Sequence, residues 1–119
     1  MKIAVSSRGP GLESEVDPRF GRAAYIVLVD TETMEFEALD NSPNVNAFKG
    51  AGIQAATSVC DKGAEVLMTG YCGPKAFQVL KAAGVKVVND AGGTIKDAVE
   101  TFKQGDVKFA SNANADAHW

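Results

Sequence analysis

The chain has 119 residues, a formal net charge of −3, 45% hydrophobic residues and 23% charged residues. This composition is typical of one globular domain and excludes wholesale disorder and collagen-like repeats. The acidic balance argues against binding to nucleic acid or to an anionic membrane surface, because both favour a basic protein face. No apolar run approaches the roughly 20 residues of a membrane span, and the apolar start is too short for a signal peptide, so we expect a cytoplasmic protein.

The predicted secondary structure alternates between helices and strands after an initial group of three strands. Short apolar runs rich in β-branched residues predict strands, and apolar residues at helical spacing predict helices. Gly, Pro, Asn and Ser separate these segments, and the composition of residues 41–46 predicts a loop. In chain order, the sequence predicts strands over 2–6, 24–30 and 34–39, a helix over 53–60, a strand over 65–69, a helix over 75–83, a strand over 85–88 and a helix over 95–103.

This element order, β-β-β-α-β-α-β-α, predicts an α/β fold with a mixed five-stranded sheet and flanking helices. Residues 31–33 connect the second and third strands as a hairpin, and right-handed crossovers place the later strands parallel to the first. We expect a single domain over residues 1–108. The last residues, 109–119, are mostly small and polar and include the only histidine, His118, so they predict a flexible tail.

One edge of the predicted sheet collects groups that bind anions. Parallel strands end there, and open α/β sheets bind their ligands at that edge. Three predicted helices begin there, and helix N-termini offer N–H donors and a partial positive charge. Every arginine of the chain is expected there, and Arg suits forked contacts with oxyanions. The predicted binding residues are Arg8, Arg19, Arg22, Lys49, Gly50, Gly52, Gly70, Cys72 and Gly73.

These groups also have a purely structural interpretation. The glycines can form tight turns between strands and helices, and the arginines can pair with Glu13, Glu15 and Asp17 at the surface. Neither a Walker A motif nor a Gly-x-Gly-x-x-Gly motif occurs, so the signal for a nucleotide is weak. We interpret Phe20 as an anchor in the core. The convergence of all the arginines, rather than any single residue, favours a functional pocket.

Cys72 is the predicted contact that could ligate a metal directly. It precedes a predicted helix, and a thiol at a helix N-terminus is expected to have a lowered pKa and more thiolate. The alternative is a small residue that fills a turn. Cys60 falls late in a helix on an alanine-rich face, which favours a buried structural thiol. The two cysteines and His118 lack the spacing of a zinc site.

Four short motifs occur together: Lys2-Ile3-Ala4-Val5, Arg19-Phe20-Gly21-Arg22-Ala23, Gly50-Ala51-Gly52, and Gly70-Tyr71-Cys72-Gly73-Pro74-Lys75-Ala76 followed by Leu80 and Gly84. In this combination the chain resembles the dinitrogenase iron–molybdenum-cofactor biosynthesis family over residues 1 to about 108. The resemblance implies a ribonuclease-H-like sheet and the binding or carriage of a metal–sulfur cluster. For the small single-domain members it implies a mixed molybdenum–copper sulfide held without a covalent link, and otherwise an iron–molybdenum–sulfur cofactor precursor.

The chain departs from those relatives in which a histidine or cysteine is the suspected cluster ligand, because only Cys72 is well placed here. A thiomolybdate cluster is anionic and carries its own sulfides, so Arg side chains and backbone N–H groups can hold it. We therefore predict a non-catalytic carrier or assembly scaffold, with a recipient or assembly protein as its partner. Two alternatives stay open: a small phosphate- or nucleotide-binding enzyme that uses the same pocket, and a module that docks on a partner. A two-metal nuclease is disfavoured, because the first strand has no carboxylate.

Overall fold

A computed structural model describes residues 1–45 and 50–111 of the chain. The element order matches the sequence prediction, with one correction in the segment 41–46 that was predicted as a loop. Ser42 begins a short helix there, because its N–H donates to Asp40 Oδ1 at 2.9 Å and Pro43 suits a first helical turn. The elements are β1 (Lys2–Ser7), the 3-10 helix η1 (Phe20–Arg22), β2 (Tyr25–Asp30), β3 (Phe36–Asp40), α1 (Ser42–Val45), α2 (Ala51–Asp61), β4 (Val66–Met68), α3 (Pro74–Ala82), β5 (Lys86–Val88) and α4 (Ile95–Lys103).

The five strands form one mixed sheet in the order β3-β2-β1-β4-β5, with β1 at its centre. β2 runs antiparallel to β1 and to β3, whereas β4 and β5 run parallel to β1. Ser7 at the end of β1 pairs with Tyr25 at the start of β2. The predicted α/β class and mixed sheet are therefore confirmed, and the residues before β2 lie at the edge where the parallel strands end.

The sheet is covered by helices on both faces because its side chains alternate in direction. Ala4 and Leu67 pack with α2 and α3 on one face, which we call the α2/α3 face. Ile3, Val5 and Met68 pack with α4 on the opposite face, which we call the α4 face. Both clusters are almost completely buried. Because of this alternation, each loop at the sheet edge lies beside either the α2/α3 face or the α4 face.

The chain continues past α4 and returns to the sheet. Phe109 forms an antiparallel bridge with Val88, and the N–H of Ala110 donates to Val87 O at 2.7 Å. The first residues of the predicted tail thus pair with β5, while residues 112–119, with His118 and Trp119, lie outside the described residues. Among the described helices, none combines the length and apolar character needed to cross a membrane.

Candidate anion-binding site

A buried polar network fixes the loop that carries Arg19 to the ends of two central strands. The Ser6 hydroxyl, at the end of β1, donates to Asp17 O at 2.6 Å, and its oxygen lies 2.7 Å from Thr69 Oγ1 just after β4. The N–H of Asp17 donates back to Ser6 O at 2.9 Å. Asp17 Oδ1 accepts the N–H of Arg19 at 3.0 Å. Because Ser6, Thr69 and Asp17 are all buried, this network holds the backbone of Arg19 in a defined position.

The same loop is bonded to the segment that precedes α3. Tyr71 N–H donates to Pro18 O at 2.6 Å, and Phe20 N–H donates to Tyr71 O at 3.3 Å. Arg19 and Tyr71 form a parallel bridge, so they are neighbours at this edge. A Cβ atom on Gly70 would lie 2.8 Å from backbone atoms of Pro18. Glycine at position 70 is therefore what lets the two loops approach so closely.

The helix η1 packs directly on the first turn of α2. Phe20 is almost fully buried, which confirms its role as a core anchor, whereas Arg19 and Arg22 on either side are exposed. A Cβ atom on Gly21 would lie 2.8 Å from the Cα of Gly52 in α2. Because no side chain separates them, the backbone of η1 lies against the N-terminal turn of α2, with Arg19 and Arg22 flanking the contact in the chain.

The N-termini of α2 and α3 lie together beneath these arginines. An ideal Cβ on Gly52 would contact the Ala76 Cβ of α3 at 3.4 Å, so the two first turns are in close contact. The N-cap residues are Gly50 and Gly73, and neither helix receives a side-chain cap. Among the described residues, no N-cap side chain bonds these first turns, so their backbone N–H groups and the partial positive charge of each helix can face a ligand.

The third helix that begins at this edge does not contribute an open N-terminus, which corrects the sequence prediction. The Thr94 hydroxyl accepts the N–H of Asp97 at 3.1 Å, and Asp97 Oδ2 accepts the N–H of Thr94 at 3.2 Å. This capping box satisfies the N–H groups of Thr94 and Asp97 and places a carboxylate there, while the N–H groups of Ile95 and Lys96 donate to Ser14 O and Leu12 O, both at 2.9 Å. An anion would meet repulsion instead of donors at this end.

One predicted residue, Arg8, is not brought to the arginines of η1. The N–H of Arg8 donates to Glu15 O at 3.0 Å, and Arg8 Nη1 lies 3.9 Å from Glu15 Oε2. The loop that carries Glu15 continues on the α4 face, where Leu12 and Val16 join the core. Arg8 is therefore associated with the opposite face of the sheet edge, and Lys49 lies outside the described residues.

The structure overturns the expected chemistry of Cys72. The side chain is fully buried in the core of the α2/α3 face, and burial raises its pKa to about 12. The prediction of a lowered pKa is wrong because loss of hydration outweighs the nearby helix N-terminus. A neutral, buried thiol is a poor metal ligand. The role of Cys72 as a ligand thus stays a prediction, and the thiol would have to leave the core to fulfil it.

Cys60 is less buried than its interpretation as a buried structural thiol implies. It is partly buried against the same core, and burial raises its pKa as well. Neither cysteine forms a disulfide. Within residues 1–45 and 50–111, no group of three or more His, Cys, Asp or Glu side chains could hold a metal ion. The groups that the described site can offer a ligand are therefore N–H donors and guanidinium groups.

Sequence analysis missed two exposed side chains with apolar character at the site. Ile53, in the first turn of α2, is 37% exposed, and Tyr71, beside Arg19, is 40% exposed. Their position follows from the helix start and the bridge to Arg19, which are tertiary features. The signals available in the sequence were the glycines beside them, because Gly52 and Gly70 mark places of close backbone approach.

The chain is similar in sequence and architecture to several known proteins. The family described as dinitrogenase iron-molybdenum cofactor matches residues 1–105. The apo form of the orange protein from Desulfovibrio gigas is 50% identical, with 96% of each chain covered and a TM-score of 0.93. A NifB-like protein of the DUF35 family from Thermotoga is 35% identical, with 96% of this chain and 97% of that chain covered and a TM-score of 0.82.

A further relative is known from its sequence. An uncharacterized protein of Methanocaldococcus jannaschii is 28% identical over 108 residues, which cover 88% of this chain and 87% of that protein. The family match extends from β1 through α4, so it includes every described element of the anion-binding site. The chain therefore belongs to the dinitrogenase iron-molybdenum cofactor family.

Proposed function

We propose that the chain binds an anionic, molybdenum-containing metal–sulfur cluster and carries it or scaffolds its assembly, without catalysing a reaction. One observation carries this proposal: two helix N-termini without side-chain caps meet against η1, which presents Arg19 and Arg22. Membership of a family named for the iron–molybdenum cofactor supports molybdenum as the metal. The similarity to the orange protein supports the same class of ligand.

The sulfides of such a cluster would accept hydrogen bonds from the protein. Backbone N–H groups of the first turns of α2 and α3 supply fixed donors, and each helix adds roughly half a positive charge. The guanidinium groups of Arg19 and Arg22 add charge-assisted donors from the exposed side. Because the cluster brings its own sulfides, this binding needs no covalent bond from Cys72. Within this class we propose a mixed molybdenum–copper sulfide, and an iron–molybdenum–sulfur precursor is the alternative.

The open position of the site suits a carrier. Arg19, Arg22 and Tyr71 are exposed, so a cluster held here would stay accessible to a second protein. Ile53 and Tyr71 supply apolar surface beside the charged groups, which is the composition of a small contact patch. We propose that a recipient or assembly protein contacts this rim when the cluster is transferred.

An anaerobic titration with tetrathiomolybdate, with and without cuprous ion, tests the proposal. Visible absorption and metal content are measured after gel filtration. We expect a charge-transfer band that co-elutes with the protein at a fixed stoichiometry, and copper in that fraction if the cluster is mixed. Colour that elutes apart from the protein would contradict the proposal.

The same anion chemistry could serve a phosphate, because helix N-termini bind phosphate groups as well. Thermal stabilisation by ATP or by a phosphate ester, without retention of thiomolybdate, would favour the enzyme alternative. Tight binding of a partner protein that is unchanged in a variant lacking Arg19 and Arg22 would favour a docking module instead.

A further inference from the structure

Asn41 is a buried polar residue directly after β3, and it reaches back to the segment between η1 and β2. Only 1% of its surface is exposed. Its Nδ2 donates to Ala23 O at 2.8 Å, and its backbone N–H donates to Ala24 O at 2.9 Å. Because Tyr25 pairs with Asp40, the backbone bond continues the ladder between β2 and β3 by one residue, and the side-chain bond extends it further. Asn41 thus ties the end of η1 to the sheet.

The helix η1 is too short to hold its own conformation. It is a single turn, in which Arg22 N–H donates to Arg19 O at 3.3 Å. Ala23 N–H donates to Phe20 O, also at 3.3 Å. Helices this short are marginal on their own, because ordering the first turn costs more backbone freedom than its few hydrogen bonds offset. The conformation of η1 therefore depends on the contacts that hold its two ends.

The two ends of η1 are held by different buried side chains. At the start, Asp17 Oδ1 accepts the N–H of Arg19 at 3.0 Å. At the end, Asn41 bonds to the carbonyl of Ala23, which is the C-cap residue directly after Arg22. Ala23 is fully buried and has an extended backbone, so the chain leaves the helix at a fixed point. Asn41 is thus for Arg22 the counterpart of Asp17 for Arg19.

We propose that Asn41 is a positioning residue for Arg22 in anion binding, an inference that rests on the proposed function. By fixing the carbonyl that follows Arg22, the buried amide restricts the backbone from which the exposed guanidinium extends. A guanidinium makes its strongest contacts with an anion in a defined orientation, and a backbone that is ordered before binding lowers the entropic cost of that contact. An amide suits this task because it donates a hydrogen bond without placing a negative charge near the anion.

A double-mutant cycle on the full chain tests whether Asn41 acts through Arg22. Asn41→Leu keeps the approximate size of the side chain and removes the donor. We expect it to raise the dissociation constant for tetrathiomolybdate about three- to tenfold, which is part of what one charge-assisted hydrogen bond contributes. In the Arg22→Ala background the same substitution should change the constant less than about twofold, because residues that act through one another are not additive. An equal loss in both backgrounds, or no loss in either, would overturn the proposal.

Val99→Ala is the matched control for a general loss of stability. Val99 is fully buried, but it belongs to the core of the α4 face, on the other side of the sheet from α2 and α3. We expect this variant to lower the melting temperature and to leave the dissociation constant unchanged. An equal loss of affinity in Val99→Ala would overturn the proposal, because destabilisation would then explain the effect.

If Asn41→Leu does not fold, Asn41→Ser replaces it in the same cycle with the same expected result. The serine side chain is too short to reach Ala23 O, and it leaves room for water to hydrate that carbonyl.

Amide hydrogen exchange tests the positioning without a ligand. In Asn41→Leu the N–H of Ala23, which closes η1 on Phe20 O, should exchange about tenfold faster relative to the N–H of Val5 in the central strand, because only the end of η1 is released. An unchanged ratio would overturn the proposal even where the native chain binds tetrathiomolybdate. Failure of the native chain itself to bind tetrathiomolybdate would instead overturn the proposed function, and the role of Asn41 with it.

Discussion

Three helices begin at the same edge of the sheet, but their N-termini are built in two different ways. The N-cap of α4 is Thr94, which forms a capping box with Asp97, and the N–H groups of Ile95 and Lys96 donate to backbone carbonyls of residues 14 and 12. α2 and α3 begin at Gly50 and Gly73, which have no side chain to do this. The comparison separates stability from binding: the N-terminus of α4 is used in its own cap, whereas the N-termini of α2 and α3 receive no side chain from their N-cap residues, which suits the proposed anion.

The charged groups around the N-terminus of α4 and around the N-termini of α2 and α3 also differ in this way. The capping box of α4 places a carboxylate at that end, and the loop beside it pairs Arg8 with Glu15. The first turns of α2 and α3 instead meet η1, with Arg19 and Arg22 exposed. The positive charge beside α4 is thus neutralised within the chain, whereas the positive charge beside α2 and α3 is available to a ligand.

The largest expected effect comes from breaking the contact between η1 and α2. In Gly21→Ala the new Cβ would lie 2.8 Å from the Gly52 Cα, so backbone has to move. We expect unfolding free energy to fall by about 1–3 kcal/mol, as overpacking typically costs, and tetrathiomolybdate affinity to fall with it. Urea denaturation and the anaerobic titration measure these changes. Gly11→Ala is the control, because a Cβ at position 11 meets nothing within 4 Å; equal stability of the two variants would contradict the close-contact argument.

Removal of the exposed charges should weaken binding without affecting the fold. We expect the double variant Arg19→Ala/Arg22→Ala to bind tetrathiomolybdate about ten- to hundredfold more weakly, since two charge-assisted hydrogen bonds are lost. The melting temperature should not change, because both side chains are exposed. Arg8→Ala is the matched control and should lower the affinity about twofold or less, because Arg8 pairs with Glu15. Equal losses in both variants would show that the two regions do not differ in charge as described.

The buried thiol beneath α3 predicts a dependence of stability on pH. Burial raises the pKa of Cys72 to about 12, whereas a cysteine in an unfolded chain has a pKa of about 8.5. Between these values the unfolded chain loses the proton and the folded chain keeps it, so stability falls as pH rises. The contribution is complete below about pH 8.5 and decreases by roughly 1.4 kcal/mol per pH unit above it.

Urea unfolding of the native chain and of Cys72→Ala at pH 8 and pH 10 measures this contribution. The difference in unfolding free energy between the two proteins should shrink at the higher pH, because other groups titrate alike in both. A difference that stays the same at pH 8 and pH 10 would mean that the Cys72 thiol is not shielded from water in the folded chain. We also expect Cys72→Ser to bind the copper-containing cluster and plain thiomolybdate with similar affinity, because a buried neutral thiol is not a soft contact.

The smallest expected effect comes from giving α3 the kind of cap that α4 has. Gly73 has an extended backbone, with φ −71° and ψ 165°, which suits a serine N-cap. Gly73→Ser should raise unfolding free energy by about 0.3 kcal/mol and weaken tetrathiomolybdate binding, because the hydroxyl competes for the same N–H groups. The reciprocal variant Thr94→Ala should cost about 1 kcal/mol and leave the affinity unchanged. A loss of tetrathiomolybdate affinity in Thr94→Ala would indicate instead that the anion binds at the N-terminus of α4.

Much of the fold could be predicted because its signals are local. The apolar run at the start of the chain predicts β1, and Thr94 followed by an amphipathic segment predicts α4 with its observed bounds, Ile95–Lys103. The crossover rule then orders the sheet and brings the loops to one edge. The convergence of Arg19 and Arg22 with Gly50, Gly52, Gly70 and Gly73 follows from that topology.

Other features depend on neighbours that are distant in the sequence. Nothing near Cys72 indicates that it is fully buried, and its raised pKa follows from loss of water on every side. Arg8 and Arg19 look equivalent in the sequence, yet the loop between them places Arg8 with Glu15. The bridge from Phe109 to Val88 and the hydrogen bond from Ala110 to Val87 join β5 to a segment that the sequence predicts as a flexible tail.

The amino-acid sequence by itself determined the elements, their order and the sheet edge at which a ligand binds, because periodicity, turn residues and chain handedness act over short distances. Tertiary structure alone decided which helix N-termini stay open, which arginines meet them and whether Cys72 is ionised. The physical reason is that the bonds from Ile95 and Lys96 to residues 14 and 12, the desolvation of Cys72 and the approach of Gly21 to Gly52 all depend on contacts between segments far apart along the chain.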